Sequence, residues 1–157
     1  MRSLTQRLLL VALASLLLST TAVAQQRQML LGPQIGLATN NLDLFLGAQF
    51  SYPVAPQFDI YPSFDYYFPG NNLTVWALNG EVRYWPRLNT PNAGLYVGGG
   101  LNYTHVSISG FSNSEIGLGL LGGWDFKAVS WRPFAQLRIV IGNADRIEFG
   151  GGVNFKL

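Results

Sequence analysis

His105, Ser107 and Glu115 are the residues whose types and spacing come nearest to covalent chemistry in this chain. In acyl transfer an imidazole takes the proton of a seryl hydroxyl, while a carboxylate holds the ring in the working tautomer. A His-x-Ser pair puts imidazole and hydroxyl on one face of a strand, because strand side chains alternate with period two. Glu115 falls on the opposite phase of the next segment, and no oxyanion donor stands out, so catalysis is not the expected reading. The chain's one His has no second ligand at useful spacing and defines no metal site. There is no cysteine, which removes thiol catalysis, disulfides and lipidation of a cysteine at a cleaved leader. Gly98-Gly99-Gly100 lacks the following helix that a phosphate loop needs, so its glycines read as packing devices and no cofactor is expected.

The His105-x-Ser107 pair with a later acid resembles the lipid A deacylase family. That resemblance implies a Ser107 nucleophile, a His105 base and an orienting Glu115, acting on outer-leaflet lipid. It supplies the enzymatic alternative to the reading developed below.

A larger constellation is made of charges. Asp59, Asp65, Glu81, Asp125 and Glu148 share the polar phase of their segments with Arg83, Arg132, Arg138, Arg146 and Lys156. Stripping an ion of water costs several kcal/mol unless it is paired, so this balanced set predicts a salt-bridge and hydrogen-bond network. The same residues could line a gated ion path. Asp43 and Glu115 at strand edges and Asp145 in a turn read as solvated loop charges.

These residues lie on eight alternating segments, read as strands at 29–38, 42–52, 58–68, 73–85, 95–105, 115–126, 131–141 and 146–157. In 58–68, Phe58, Ile60, Pro62, Phe64, Tyr66 and Phe68 share one face and Asp59, Tyr61, Ser63, Asp65 and Tyr67 the other. In none of the eight does a carboxylate, Lys or Arg fall on the apolar phase. Most have the roughly 9 to 11 residues that a tilted strand needs to cross a hydrocarbon core. Turn-forming Asn, Gly, Pro and Ser clusters separate them, at 39–41, 53–56, 69–72, 86–94, 106–114, 127–130 and 142–145. Such short connections force antiparallel neighbours, and closing the meander removes its edges. The expected fold is all-β, an eight-stranded antiparallel up-and-down transmembrane β-barrel.

Alternation alone also fits a soluble periplasmic carrier with an apolar lumen. Three features favour lipid outside. Aromatics crowd both ends of the apolar phase, with Tyr52, Phe58, Tyr84, Trp124, Phe126, Trp131 and Phe155 at one rim and Tyr66, Phe68, Trp76 and Tyr103 toward the other; such girdles suit headgroup boundaries. The polar phase is rich in glycine and poor in Lys, and its Phe45, Tyr61, Tyr67, Tyr96 and Phe134 are large enough to fill an eight-stranded lumen. The last strand runs to the end of the chain, and Phe155-Lys156-Leu157 resembles the carboxy-terminal signal read by the barrel-insertion machinery.

The amino terminus completes the expectation. Arg2 and Arg7 precede the apolar run 8–18, and Ala22-Val23-Ala24 offers a small-x-small cleavage site, so 1–24 reads as a secretory signal peptide and 25–157 as the barrel domain. Of ten Lys and Arg, two leave with the leader and the remaining eight balance the eight Asp and Glu, which removes support for nucleic-acid binding. As a whole, 25–157 resembles the small eight-stranded outer-membrane barrel families, which include the membrane domain of outer membrane protein A and the opacity-type adhesins. The resemblance implies a bacterial outer-membrane protein in contact with lipid. The expectation is a monomeric, non-enzymatic barrel with a plugged lumen and a structural or surface-interaction role, its largest recognition surface at 106–114.

Overall fold

Each alternating segment pairs with the next, and the last with the first, in the computed structural model of the chain, which describes residues 28–39, 43–70, 73–86, 93–108, 110–127, 130–142 and 145–157. The strands are β1 (Leu30–Ala38), β2 (Asp43–Ala55), β3 (Phe58–Phe68), β4 (Thr74–Tyr84), β5 (Ala93–Ile108), β6 (Phe111–Phe126), β7 (Trp131–Ile141) and β8 (Arg146–Lys156). All neighbours are antiparallel, and β1 closes on β8 through pairs from Leu30↔Lys156 to Ala38↔Glu148. The leader 1–24 lies outside the described residues.

Strand ends follow the expected boundaries closely except in two places. β2 continues through Pro53 to Ala55 with a register shift there, so the turn into β3 shrinks to Pro56-Gln57. More consequentially, 106–108 and 111–114 are strand where a loop is expected. The β5–β6 ladder continues through Val106↔Asn113, Ser107↔Ser112 and Ile108↔Phe111, and Gly110 turns the chain at φ +94°, a left-handed conformation that glycine adopts without steric cost. The period of two persists there, but the faces exchange chemistry. Val106, Ile108 and Phe111 continue the inward phase, and Ser107, Ser112 and Ser114 the outward one. A strand rule that demands apolar residues facing lipid therefore stops too early.

Inside the barrel, side chains of period two meet a space that they must fill. Phe45, Tyr67, Ala38 and Ala77 pack at the end away from the chain termini. Tyr61, Trp85, Tyr96 and Leu121 pack at the end near the termini. Three lumen aromatics lie over the glycine directly across the ladder: Phe45 over Gly36, Tyr96 over Gly123 and Phe134 over Gly152. A Cβ on Gly36 or Gly123 would stand 2.4 Å from the ring it faces, so these positions admit no larger residue without moving the ring. The outer face is the reverse, with Leu31, Ile35, Leu46, Phe64, Val82, Leu120, Ile139 and Phe149 all exposed. The whole circumference is thus an apolar belt over a polar interior.

Candidate functional site

Arg138 on β7 is the hub of the lumen. Its Nε and Nη2 donate to Glu81 Oε1 and Oε2 at 2.9 and 3.0 Å, Nη1 donates to Asp65 Oδ2 and Glu148 Oε2 at 3.1 and 3.0 Å, and Nη2 also donates to Ser63 Oγ at 3.2 Å. A guanidinium has five N–H donors, and every one of these is used. The residue is 1% exposed, so its charge is held by partners and not by water.

From this hub, hydrogen bonds run toward both ends. Glu148 Oε1 accepts from Tyr67 OH and from Arg146 Nε, and Arg146 Nη1 donates to Thr104 Oγ1 at 3.0 Å. Thr104 donates to Asn102, Asn102 to Asn79, and Asn79 to Ser63 and Asp65. Gln34 donates to Asp65 and accepts from Gln136, whose own Oε1 accepts from Tyr61 and Tyr96. β1, β3, β4, β5, β7 and β8 all contribute, so this one network ties strands that are distant in sequence.

Near the termini, Arg83 pairs with Asp59 at 3.3 Å and lies over the Tyr61 ring, 3.8 Å from its centroid, with Tyr96 and Trp85 at 4.8 and 5.2 Å. Asp59 Oδ2 also accepts from Ser51 and from Trp85 Nε1. Arg132 and Asp125 form a separate pair at 3.0 Å.

The charges read from the sequence therefore fall into three groups: Arg138 and Arg146 with Asp65, Glu81 and Glu148; Arg83 with Asp59; and Arg132 with Asp125. Lys156 departs from the expectation. It is on the inward phase, but the strand ends there and leaves it exposed at the rim opposite Leu30. Sequence reasoning missed the neutral members Gln34, Ser63, Asn79, Asn102, Thr104 and Gln136, although all occupy the same inward phase as the charges.

The rim aromatics all project outward. Tyr52, Phe58, Tyr84, Trp124, Phe126, Trp131 and Phe155 ring the end near the termini, with Phe58 against Tyr84 at 5.2 Å. Tyr66, Phe68, Trp76 and Tyr103 sit toward the far end, where Trp76 contacts Tyr103 at 5.6 Å.

His105, Ser107 and Glu115 are not brought together as a triad. His105 Nδ1 hydrogen-bonds Ser114 Oγ at 2.9 Å, the residue directly across the ladder, while Ser107 faces Ser112. Glu115 lies on the inward phase opposite Thr104, where Asn113 Nδ2 donates to its Oε1 at 3.1 Å. No carboxylate reaches the imidazole among the described residues, and none of them form a group of three or more His, Cys, Asp or Glu placed to hold a metal.

Solved structures share this architecture. The N-terminal β-barrel domain of Pseudomonas aeruginosa OprF superposes with TM-score 0.69 at 14% identity, covering 83% of this chain and 98% of that one. Neisserial surface protein A matches with TM-score 0.60 at 17% identity, over 82% of this chain and 96% of that one. Ail, the attachment invasion locus protein of Yersinia pestis, matches with TM-score 0.58 at 13% identity, over 83% and 97%. No protein-family model and no curated protein matches the sequence. The fold is that of the small eight-stranded outer-membrane β-barrels. At these identities the likeness extends to the fold alone.

Proposed function

We propose that this protein is a non-enzymatic bacterial outer-membrane barrel, exported by the leader 1–24, inserted through the barrel machinery that reads 155–157, and acting as a monomer that stabilises the envelope and presents the β5–β6 hairpin at the surface. The observation that carries the reading is the saturation of Arg138. A guanidinium with all five donors bound to side chains from β3, β4 and β8 is a cross-brace, and with the aromatic layers on either side it supports a plugged lumen. A diffusion pore needs a wider barrel, of about 16 to 18 strands. Purified protein in a planar lipid bilayer is accordingly expected to show no steady conductance. A reproducible ion-selective channel that disappears in Arg138→Ala would overturn the plugged-lumen reading.

The hydrolase alternative retains one supporting contact, the His105–Ser114 hydrogen bond, since a base touching a hydroxyl is the core of an acyl-transfer site. Ser114 Oγ also accepts from Tyr103 OH, and no acid orients the imidazole among the described residues. Incubation with an acylated glycolipid is expected to release no fatty acid; release that is lost in Ser114→Ala or in Ser107→Ala would establish the enzyme.

A further inference from the structure

Register places the outward side chains of β4, β5 and β6 in rows at the far end of the barrel. From the belt upward the rows read Gly80, Leu101, Leu118; then Leu78, Tyr103, Ile116; then Trp76, His105, Ser114; then Thr74, Ser107, Ser112. Neighbours within a row stand about 4.8 Å apart and successive rows about 6.6 Å. Polarity thus changes from aliphatic to three hydroxyls in line within three steps. From Trp124 in the near girdle to Ser114, β6 climbs about 25 Å along the barrel axis at the usual tilt, which is the height of an outward apolar band. The His105 row therefore stands at the headgroup level.

An ordinary girdle needs only amphipathic rings, and more than that is assembled here. His105 stacks on Trp76 at 5.1 Å and 30°, and Trp76 is braced by Tyr103 and by Phe64 at 6.2 Å. Tyr103 OH donates to Ser114 Oγ at 2.9 Å, and the same oxygen lies 2.9 Å from His105 Nδ1. The other ring nitrogen, Nε2, has no hydrogen-bond partner among the described residues. The inward side of the same rows is mixed, with Val75, Val106, Ile108 and Phe111 beside Asn113 and Glu115, whereas the outward Thr74, Ser107 and Ser112 form one unbroken row of hydroxyls.

We propose that this surface recognises the sugar headgroup of an outer-leaflet glycolipid. The ring face of the sugar rests on the Trp76–His105 stack. Its hydroxyls exchange hydrogen bonds with Thr74, Ser107 and Ser112, His105 Nε2 hydrogen-bonds a sugar hydroxyl, and the acyl chains descend over Leu101, Ile116 and Leu118. A sugar fits better than the bare phosphate of a glycerophospholipid because this face carries no Lys or Arg among the described residues, whereas aromatic planes and rows of hydroxyls match a polyhydroxylated ring. The inference rests on the outer-membrane reading above.

His105 is the only histidine of the chain, so its imidazole nitrogen signals are unambiguous. The chain from residue 25 would be placed in nanodiscs of phosphatidylcholine alone, with a phosphorylated glucosamine-disaccharide glycolipid, or with phosphatidylglycerol, and His105 followed by ¹⁵N NMR. The Nε2 signal is expected to move saturably with the glycolipid and not with phosphatidylglycerol. Trp76→Leu, and Ser107→Ala with Ser112→Ala, should each raise the half-saturating glycolipid fraction about tenfold, with the heat-dependent gel shift of a folded barrel retained. An unmoved signal, an equal response to phosphatidylglycerol, or a response indifferent to those substitutions would overturn the proposal. Failure to enter any disc would overturn the membrane reading instead.

Discussion

Removing Arg138 differs in kind from removing Arg83, although both are buried and both pair with acids. Arg138 neutralises part of a cluster in which Asp65, Glu81 and Glu148 converge, with Arg146 the only other base. Arg138→Met therefore leaves three carboxylates facing one arginine and is expected to cost about 3 to 5 kcal/mol. Arg83 rests chiefly on the rings of Tyr61, Tyr96 and Trp85, its Nε has no hydrogen-bond partner, and Asp59 keeps Ser51 and Trp85 as donors when Arg83 is gone. Arg83→Met should cost less, about 1 to 2 kcal/mol from the cation–π contacts. Tyr67→Phe, which deletes a hydroxyl between Glu148 and Arg146, should cost about 1 kcal/mol. Urea unfolding of the three variants in lipid vesicles checks the order; Arg83→Met as damaging as Arg138→Met would mean that the rings, and not the carboxylate cluster, hold the lumen together. The identities of these charges were readable from the phase they share. Their partners were not, because Arg138 meets Glu81 across 57 positions of sequence and only closure of the barrel fixes that encounter.

At the level of elements, β6 has two regimes. From Leu118 to Asp125 it is paired on both sides, with β5 and with β7. Above Leu118 the β7 ladder stops at Ile141, and 111–117 is paired on the β5 side alone among the described residues. Alternate amides of a strand point to opposite neighbours. Hydrogen exchange of the folded barrel should therefore alternate along 111–117, the amides turned from β5 exchanging quickly, while 118–125 stays uniformly protected. Uniform protection through 111–117 would show that another segment covers this edge. The inner half of the hairpin was legible as strand because lipid and lumen impose opposite chemistry on its faces. Its outer half was not, because above the belt the faces exchange chemistry while the period stays at two. Phe111, 81% exposed on the inward phase, and Ser114 on the outward phase are the residues that mark the exchange.

For the whole molecule, what divides a membrane barrel from a soluble carrier is which face holds the filling. A carrier of an apolar ligand would keep an apolar cavity and a charged exterior. Here the interior is occupied by Arg138, Glu81, Asp65, Tyr61 and Tyr96, while Leu31, Ile60, Val82, Leu120, Ile139 and Phe149 face outward on every side. Exposed apolar patches on soluble monomers rarely exceed a few hundred Å², and a belt around the full circumference of a barrel exceeds that several-fold. This inversion was legible from the alternation, the rim aromatics and the glycine-rich inner phase taken together, since each follows from the same two solvents. Closure follows too, because an open β1 or β8 edge in hydrocarbon would leave backbone groups unpaired at several kcal/mol each. The chain expressed with its leader should accordingly appear in the membrane fraction, resist extraction by salt or carbonate, dissolve in detergent, and migrate as a compact band that shifts on boiling. Recovery of folded protein from a detergent-free periplasmic extract would place the apolar face inside after all, and would remove the basis for both the filled lumen and the headgroup site.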